Sequence, residues 1–126
     1  MDLTLFDQYP LHQANQNQLV CHDNILLNLA NKIPELPCDY TKLSWLERSA
    51  VRREYIRRQQ GFCMHCNSSL NEDPPEHIQI IWIDWDLFPE GFLKHPIHLQ
   101  HCHKTNLTEG AVHAYCNAVL WQHYGR

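Results

Sequence analysis

The chain of 126 residues has no apolar run long enough to cross a bilayer and no charged-then-apolar leader at Met1. A cytoplasmic protein without membrane contact is therefore expected. Lys and Arg are absent from Gln59 to Leu93, where Glu72, Asp73, Glu76, Asp84, Asp86 and Glu90 supply acid. With a net charge of -4, the chain as a whole lacks the basic excess of a general nucleic-acid binder. No internal repeat is present, so the length corresponds to one domain with an N-terminal extension.

What is present is unevenly placed. Five of the ten basic residues, Arg48, Arg52, Arg53, Arg57 and Arg58, fall between positions 48 and 58. A local basic stripe can grip phosphates on an acidic protein, because only charge within a Debye length sets the field. Such binding would be weak and strongly salt-dependent. The plainer alternative is a solvated helix face. In a cytoplasmic protein the six cysteines argue for metal ligation rather than disulfides.

Residues 1–20 are Gln/Asn-rich with weak periodicity and read as a loosely structured lead-in. Asp23 is placed to cap a helix over Asn24–Lys32, stopped by Pro34 and Pro37. Ser44, with Glu47 three residues on, forms a capping box for a basic helix over 44–60, ended by Gly61. His77–Leu87 is apolar and β-prone and predicts a strand. Pro96–His101 predicts a second strand, Thr105–Ala111 a turn and short strand, and Ala114–His123 a closing helix. Trp45, Trp82, Trp85 and Trp121 are expected in core or half-buried packing. The fold class is thus α+β, with an N-terminal extension over 1–43 and the main domain over 44–126.

Two ligand pairs stand out. Cys63-x-x-Cys66 and His113-x-x-Cys116 are separated by forty-six residues, and each spacing lets a tight turn aim two side chains at one ion. Together they match a closed tetrahedral structural zinc site of Cys3His type. Cys21 and Cys38 read as ordinary buried thiols, Cys102 is left off the ligand set, and His65 is expected to point away from the ion.

A closed zinc site leaves the His-rich run His98-Leu99-Gln100-His101-Cys102-His103 for other chemistry. Hydrolysis of a phosphodiester needs a base to activate water and a cation to stabilise the developing charge. His101 at a strand end, facing Asn117 at a helix start, would supply a general base and an amide ligand for Mg²⁺ or Mn²⁺.

The run His101-Cys102-His103-Lys104-Thr105, then Gly110, Cys116-Asn117 and Leu120-Trp121, resembles the HNH (His-Me finger) endonucleases. Their branch containing recombination endonuclease VII and small phage-type nicking enzymes is the nearest in layout. The resemblance covers about 59–126 and implies a zinc-clamped ββα-metal motif over 61–126 acting on DNA, one strand per encounter, as a monomer or weak homodimer. It implies His101 as base, Asn117 as metal-binding asparagine, and His103 and Lys104 near the scissile phosphate. The zinc ligands would be Cys63, Cys66, His113 and Cys116.

The chain departs from the family at Gln100, where the family usually has an ion-ligating Asp or His. A neutral amide is a poorer ligand for a hard cation than a carboxylate. Three outcomes stay open: Gln100 coordinates through its oxygen, another group such as His98 or Asp84 substitutes, or catalysis is impaired. Rival readings are a non-catalytic zinc module that binds DNA or a protein, and a hydrolase using the clamped zinc itself. Four protein ligands leave the latter no open position for water.

Overall fold

The computed structural model describes residues 33–126. The lead-in over 1–20, the helix expected over Asn24–Lys32 and Cys21 lie outside the described residues. The described chain is a small α+β arrangement built on a two-stranded antiparallel sheet. In order come a 3-10 turn (Tyr40–Lys42), helix α1 (Trp45–Arg58), a single helical turn α2 (Glu76–Gln79), a 3-10 turn (Trp85–Leu87), strands β1 (Ile97–His101) and β2 (Thr108–His113), and helix α3 (Ala114–Tyr124).

Helix α1 begins as its sequence dictates. The Glu47 amide donates to Ser44 Oγ at 3.2 Å, and the Ser44 amide donates to Glu47 Oε1 at 2.9 Å, so two otherwise orphaned donors are satisfied. Gln59 caps the far end, and Gly61 at φ +81° takes the left-handed turn into Cys63. The buried stretch of the helix is Ser49 to Arg52. Its Val51 packs with Cys38, Leu43 and Leu99 in one small cluster, while Trp45 at 58% exposure stays on the surface.

The segment over 77–87 is not a strand. Pro75 opens a helical turn, and backbone groups beyond it are taken by side chains of α3 rather than by a neighbouring strand. The Tyr115 hydroxyl donates to the Ile81 carbonyl at 2.7 Å and lies 3.0 Å from that of Gln79, Gln122 Nε2 donates to that of Trp82, and the Asp84 amide donates to Gln122 Oε1. With its hydrogen bonds satisfied in this way the segment lies along α3 as turns, burying Ile78 and Ile83. Ile80 and Trp82, 73% and 70% exposed, are left facing solvent, so the Trp82 and Trp45 rings are not the packing groups their size suggests.

The β1–β2 hairpin is central. Ile97 pairs with His113 and Gln100 with Gly110, and then the register shifts so that His101 pairs with Thr108, leaving Glu109 as the extra residue of a bulge. Such a bulge re-aims the side chains at a strand end. Gly110 sits under the end of α1: a Cβ there would lie 2.8 Å from Gln59 Oε1 and 2.9 Å from Met64 Sδ. Gln59 uses this close approach like a short added strand, accepting from the Ala111 amide and donating to the Ala111 carbonyl, both at 2.9 Å. On the other side Cys38 and Tyr40 bond along the start of β2, with the Thr108 amide donating to Cys38 O and the Tyr40 amide to Asn106 O, each at 2.8 Å. Residues preceding α1 are therefore tied to the sheet.

Candidate functional site

The two ligand pairs meet. The Cys63–Cys66 turn is closed by the Asn67 amide donating to Cys63 O and the Cys63 amide donating to Ser68 O, with Asn67 at φ +63°. The Met64 amide donates to Ala111 O at 3.0 Å and fastens this turn to β2. His113 ends β2, and Cys116 lies in the first turn of α3. One ligand atom from each of Cys63, Cys66, His113 and Cys116 lies within 4.8 Å of the other three. His113 Nδ1 is 3.4 Å from Cys66 Sγ and 3.7 Å from Cys116 Sγ. A zinc tetrahedron with metal–sulfur bonds of about 2.3 Å has edges of about 3.8 Å, so the donor set and spacing fit zinc.

The imidazole is oriented for this role. His113 Nε2 is 2.9 Å from the carbonyls of both Ser69 and Glu72, which accept only. The proton must then sit on Nε2, which leaves the Nδ1 lone pair facing the thiols. The thiols and the imidazole of the cluster shift one another's protonation. The hydrogen bond from Cys116 brings the Cys63 thiol down to about 3, and the same contact with burial pushes the Cys116 thiol up. Burial opposes charge on His113, yet the contact with Cys63 and the Ser69 carbonyl carries it up to about 9. A divalent cation at the centre would replace these protons.

Cys102 stands outside the cluster, at the hairpin turn, where hydrogen bonds from the Thr105 hydroxyl and amide lower its thiol. Cys38 is buried at 6% exposure beside Thr108. His65 turns from the ligands toward Tyr124, its ring centroid 5.9 Å away.

Beside the Cys3His cluster lies a cavity of about 580 Å³. His98 and His101 from β1, His103 from the turn, and Asn117 from α3 all line it, with Phe88, Phe92 and Trp121 among its apolar walls. Asn117 follows Cys116 directly, so the helix start that holds a metal ligand also fixes this amide. His101 is partly exposed and stacked on Tyr40 at 3.9 Å between centroids and 10° between planes; its ring lies 4.5 Å from that of His103. The Tyr40 ring also carries the Arg48 guanidinium, 4.1 Å from its centroid. Nearby, hydrogen bonds from the Thr41 hydroxyl and amide hold the Asp39 carboxyl low, with a smaller contribution from His101.

Gln100 is not among the cavity residues. It is buried at 1% exposure, and its Nε2 donates to Glu109 Oε1 at 2.8 Å, while Arg126 binds the other oxygen of the same carboxylate. His98 is the β1 side chain that meets Asn117, with Asn117 Nδ2 3.0 Å from His98 Nδ1. Asp84, the other substitute considered, instead caps the turn at Asp86 and lies away from the cavity.

Nor do Arg52, Arg53, Arg57 and Arg58 of α1 share one open face. Arg52 is fully buried, its Nη2 donating to Ser49 Oγ at 3.3 Å, and so it does not reach the solvent-facing side of the helix as the basic stripe expected of it. Arg53 is half-buried. Arg57 and Arg58 are exposed, and both pair with Glu54 at 2.8 Å. Lys104 is exposed at the hairpin turn.

Sequence reasoning did not single out Tyr40, which no motif marks, and named His98 only as a substitute. Its position two residues before Gln100 on one strand, and therefore on the same face, was the available signal. No protein-family model, curated protein or solved structure matches the chain.

Proposed function

We propose that the chain is a divalent-metal-dependent endonuclease of the HNH (His-Me finger) type that hydrolyses DNA phosphodiester bonds, one strand at a time. The observation that carries the reading is that His101 and Asn117 line one cavity on a strand–strand–helix unit whose helix start also holds two residues of a Cys3His cluster. In this reading the hairpin and α3 form a ββα-metal motif, zinc in the cluster is structural, and Mg²⁺ or Mn²⁺ is the working ion.

His101 would take the proton of the attacking water at its imidazole. Stacking against Tyr40 fixes the plane of that ring, so only rotation within a narrow range is left to it. His103, across 4.5 Å, and the exposed Lys104 offer N–H donors to phosphate oxygens. Asn117 would hold the divalent ion through its amide oxygen; when bound, that ion supplies charge stabilisation to the phosphate and leaving oxygen. Arg57 and Arg58 would contact the DNA backbone, in exchange for part of their pairing with Glu54.

A second reading, a catalytically impaired zinc module that binds DNA or a protein, is favoured by one observation. The residue at the family's ion-ligating position, Gln100, is engaged by Glu109 instead of facing the cavity. Supercoiled plasmid incubated with the zinc-loaded protein and Mg²⁺ or Mn²⁺ separates the two. Open circles with wild type and none with His101→Ala support the nuclease. Intact supercoils under every ion, with DNA still bound, support the module.

A further inference from the structure

We infer that His98, paired with Asn117, is the divalent-ion site of the cavity, and that this imidazole–amide pair takes the place of a ligand at the Gln100 position. The inference deepens the nuclease reading, on which it rests for its biological purpose, but the binding of the ion stands on its own geometry.

Three observations converge. The first is distance: His98 Nδ1 and the Asn117 side-chain amide are 3.0 Å apart. Two ligands on one edge of an octahedron with bonds of about 2.1 Å are about 3.0 Å apart, so an ion can take both without moving the backbone. The second is the direction of the lone pair. Asn117 Nδ2 can only donate, so His98 Nδ1 accepts, and the lone pair that accepts this proton is the one a cation would use. Turning the amide over presents Oδ1 in place of Nδ2 and gives the ion a second ligand. The third is the competing position: Gln100 is 1% exposed and does not line the cavity, so its Oε1, though without a hydrogen-bond partner, is enclosed there, while its Nε2 is held by Glu109 and Glu109 in turn by Arg126.

The bulge explains how the substitution is accommodated. Glu109 is the extra residue opposite the Gln100–His101 step, and its carboxylate reaches back to Gln100. His98 lies one pleat earlier, where the ladder is regular and α3 crosses with Asn117. Its ring stands edge-on to Phe92, 4.7 Å between centroids, which restricts rotation about the bond to Cβ.

Two protein ligands are enough for such an ion, since waters and a substrate phosphate complete the octahedron. The ligand set also sets the preference among ions. Imidazole and a neutral amide suit transition metals better than the carboxylate that favours Mg²⁺. This site should therefore take Mn²⁺ well ahead of Mg²⁺.

The test is a Mn²⁺ titration of the full-length, zinc-loaded chain followed by NMR, without DNA. Paramagnetic broadening is expected first at the Asn117 side-chain NH₂ and the His98 ring, and later at the Gln100 side-chain NH₂. His98→Ala should weaken Mn²⁺ by on the order of tenfold or more. His98→Asp should retain ion binding and let Mg²⁺ compete. Zinc content and the amide spectrum report whether each variant is folded, and the wild-type broadening map stands even if one is not. Broadening centred on Gln100 and Glu109, or Mn²⁺ affinity unchanged in folded His98→Ala, would overturn the assignment. Mn²⁺ bound at His98 in a protein that nicks no plasmid would count against the nuclease while supporting this site.

Discussion

Stripping the metal from the Cys3His cluster should unfold the domain rather than loosen it. The cluster joins the turn after α1, the last residue of β2 and the first turn of α3, and Cys63, His113 and Cys116 are each at most 2% exposed. A structural zinc in small peptides contributes about 10–16 kcal/mol at neutral pH. The whole stability of a domain this size is about 5–15 kcal/mol. Metal loss therefore removes about as much free energy as folding provides, and leaves three thiols and an imidazole crowded in a buried space. The assay is a thermal melt by circular dichroism with and without a strong chelator, alongside zinc content. One zinc per chain and a cooperative melt are expected for wild type, with no cooperative transition after chelation. Cys116→Ser should behave like the chelated protein, while Cys102→Ser, outside the cluster, should bind zinc and melt like wild type. A metal-free protein that melts cooperatively at the wild-type temperature would refute the reasoning.

Three further outcomes are expected. Gly110→Ala places a methyl group against Gln59 Oε1 and Met64 Sδ, and Gln59 is held in place by its bonds to Ala111, so a loss of about 1–3 kcal/mol should be read as a lower urea midpoint. Arg57→Gln with Arg58→Gln should weaken DNA binding across all sequences and reduce the salt slope by about 2, measured by fluorescence anisotropy at several salt concentrations. Glu54 is held down to about 2, chiefly by its hydrogen bond to Arg57 and then Arg58. A depressed carboxylate stabilises the fold above its ordinary value of 4.5 and loses that contribution as pH falls toward 2. Both arginines are largely exposed, so the contribution is under about 1 kcal/mol, and the stability gap between wild type and Glu54→Gln should narrow below pH 4.5.

The parts legible in sequence were those fixed by short-range chemistry. The Ser44–Glu47 capping box starts α1 where its spacing places it, and the two ligand pairs meet as their x-x spacings require. The hairpin and α3 also fall where the pattern puts them. What was not legible depends on distant partners. His77–Leu87 has the composition of a strand, but Tyr115 and Gln122 on α3 bond its backbone, and no strand among the described residues pairs with it. Arg52 looks like its charged neighbours in sequence, yet its position on the helix turns it into the fold. The choice between Gln100 and His98 rests on a bulge and on the reach of the Glu109 side chain, neither of which spacing reveals.

The central claim is that His101 activates water in a metal-assisted cleavage of DNA, and imidazole rescue of His101→Gly tests it most directly. The ring it removes is partly exposed at the cavity, so free imidazole can reach the gap. The expected result is a variant that binds DNA and zinc, nicks supercoiled plasmid far more slowly than wild type, and recovers with added imidazole as pH favours its neutral form. Wild-type nicking by His101→Gly without imidazole would contradict the account.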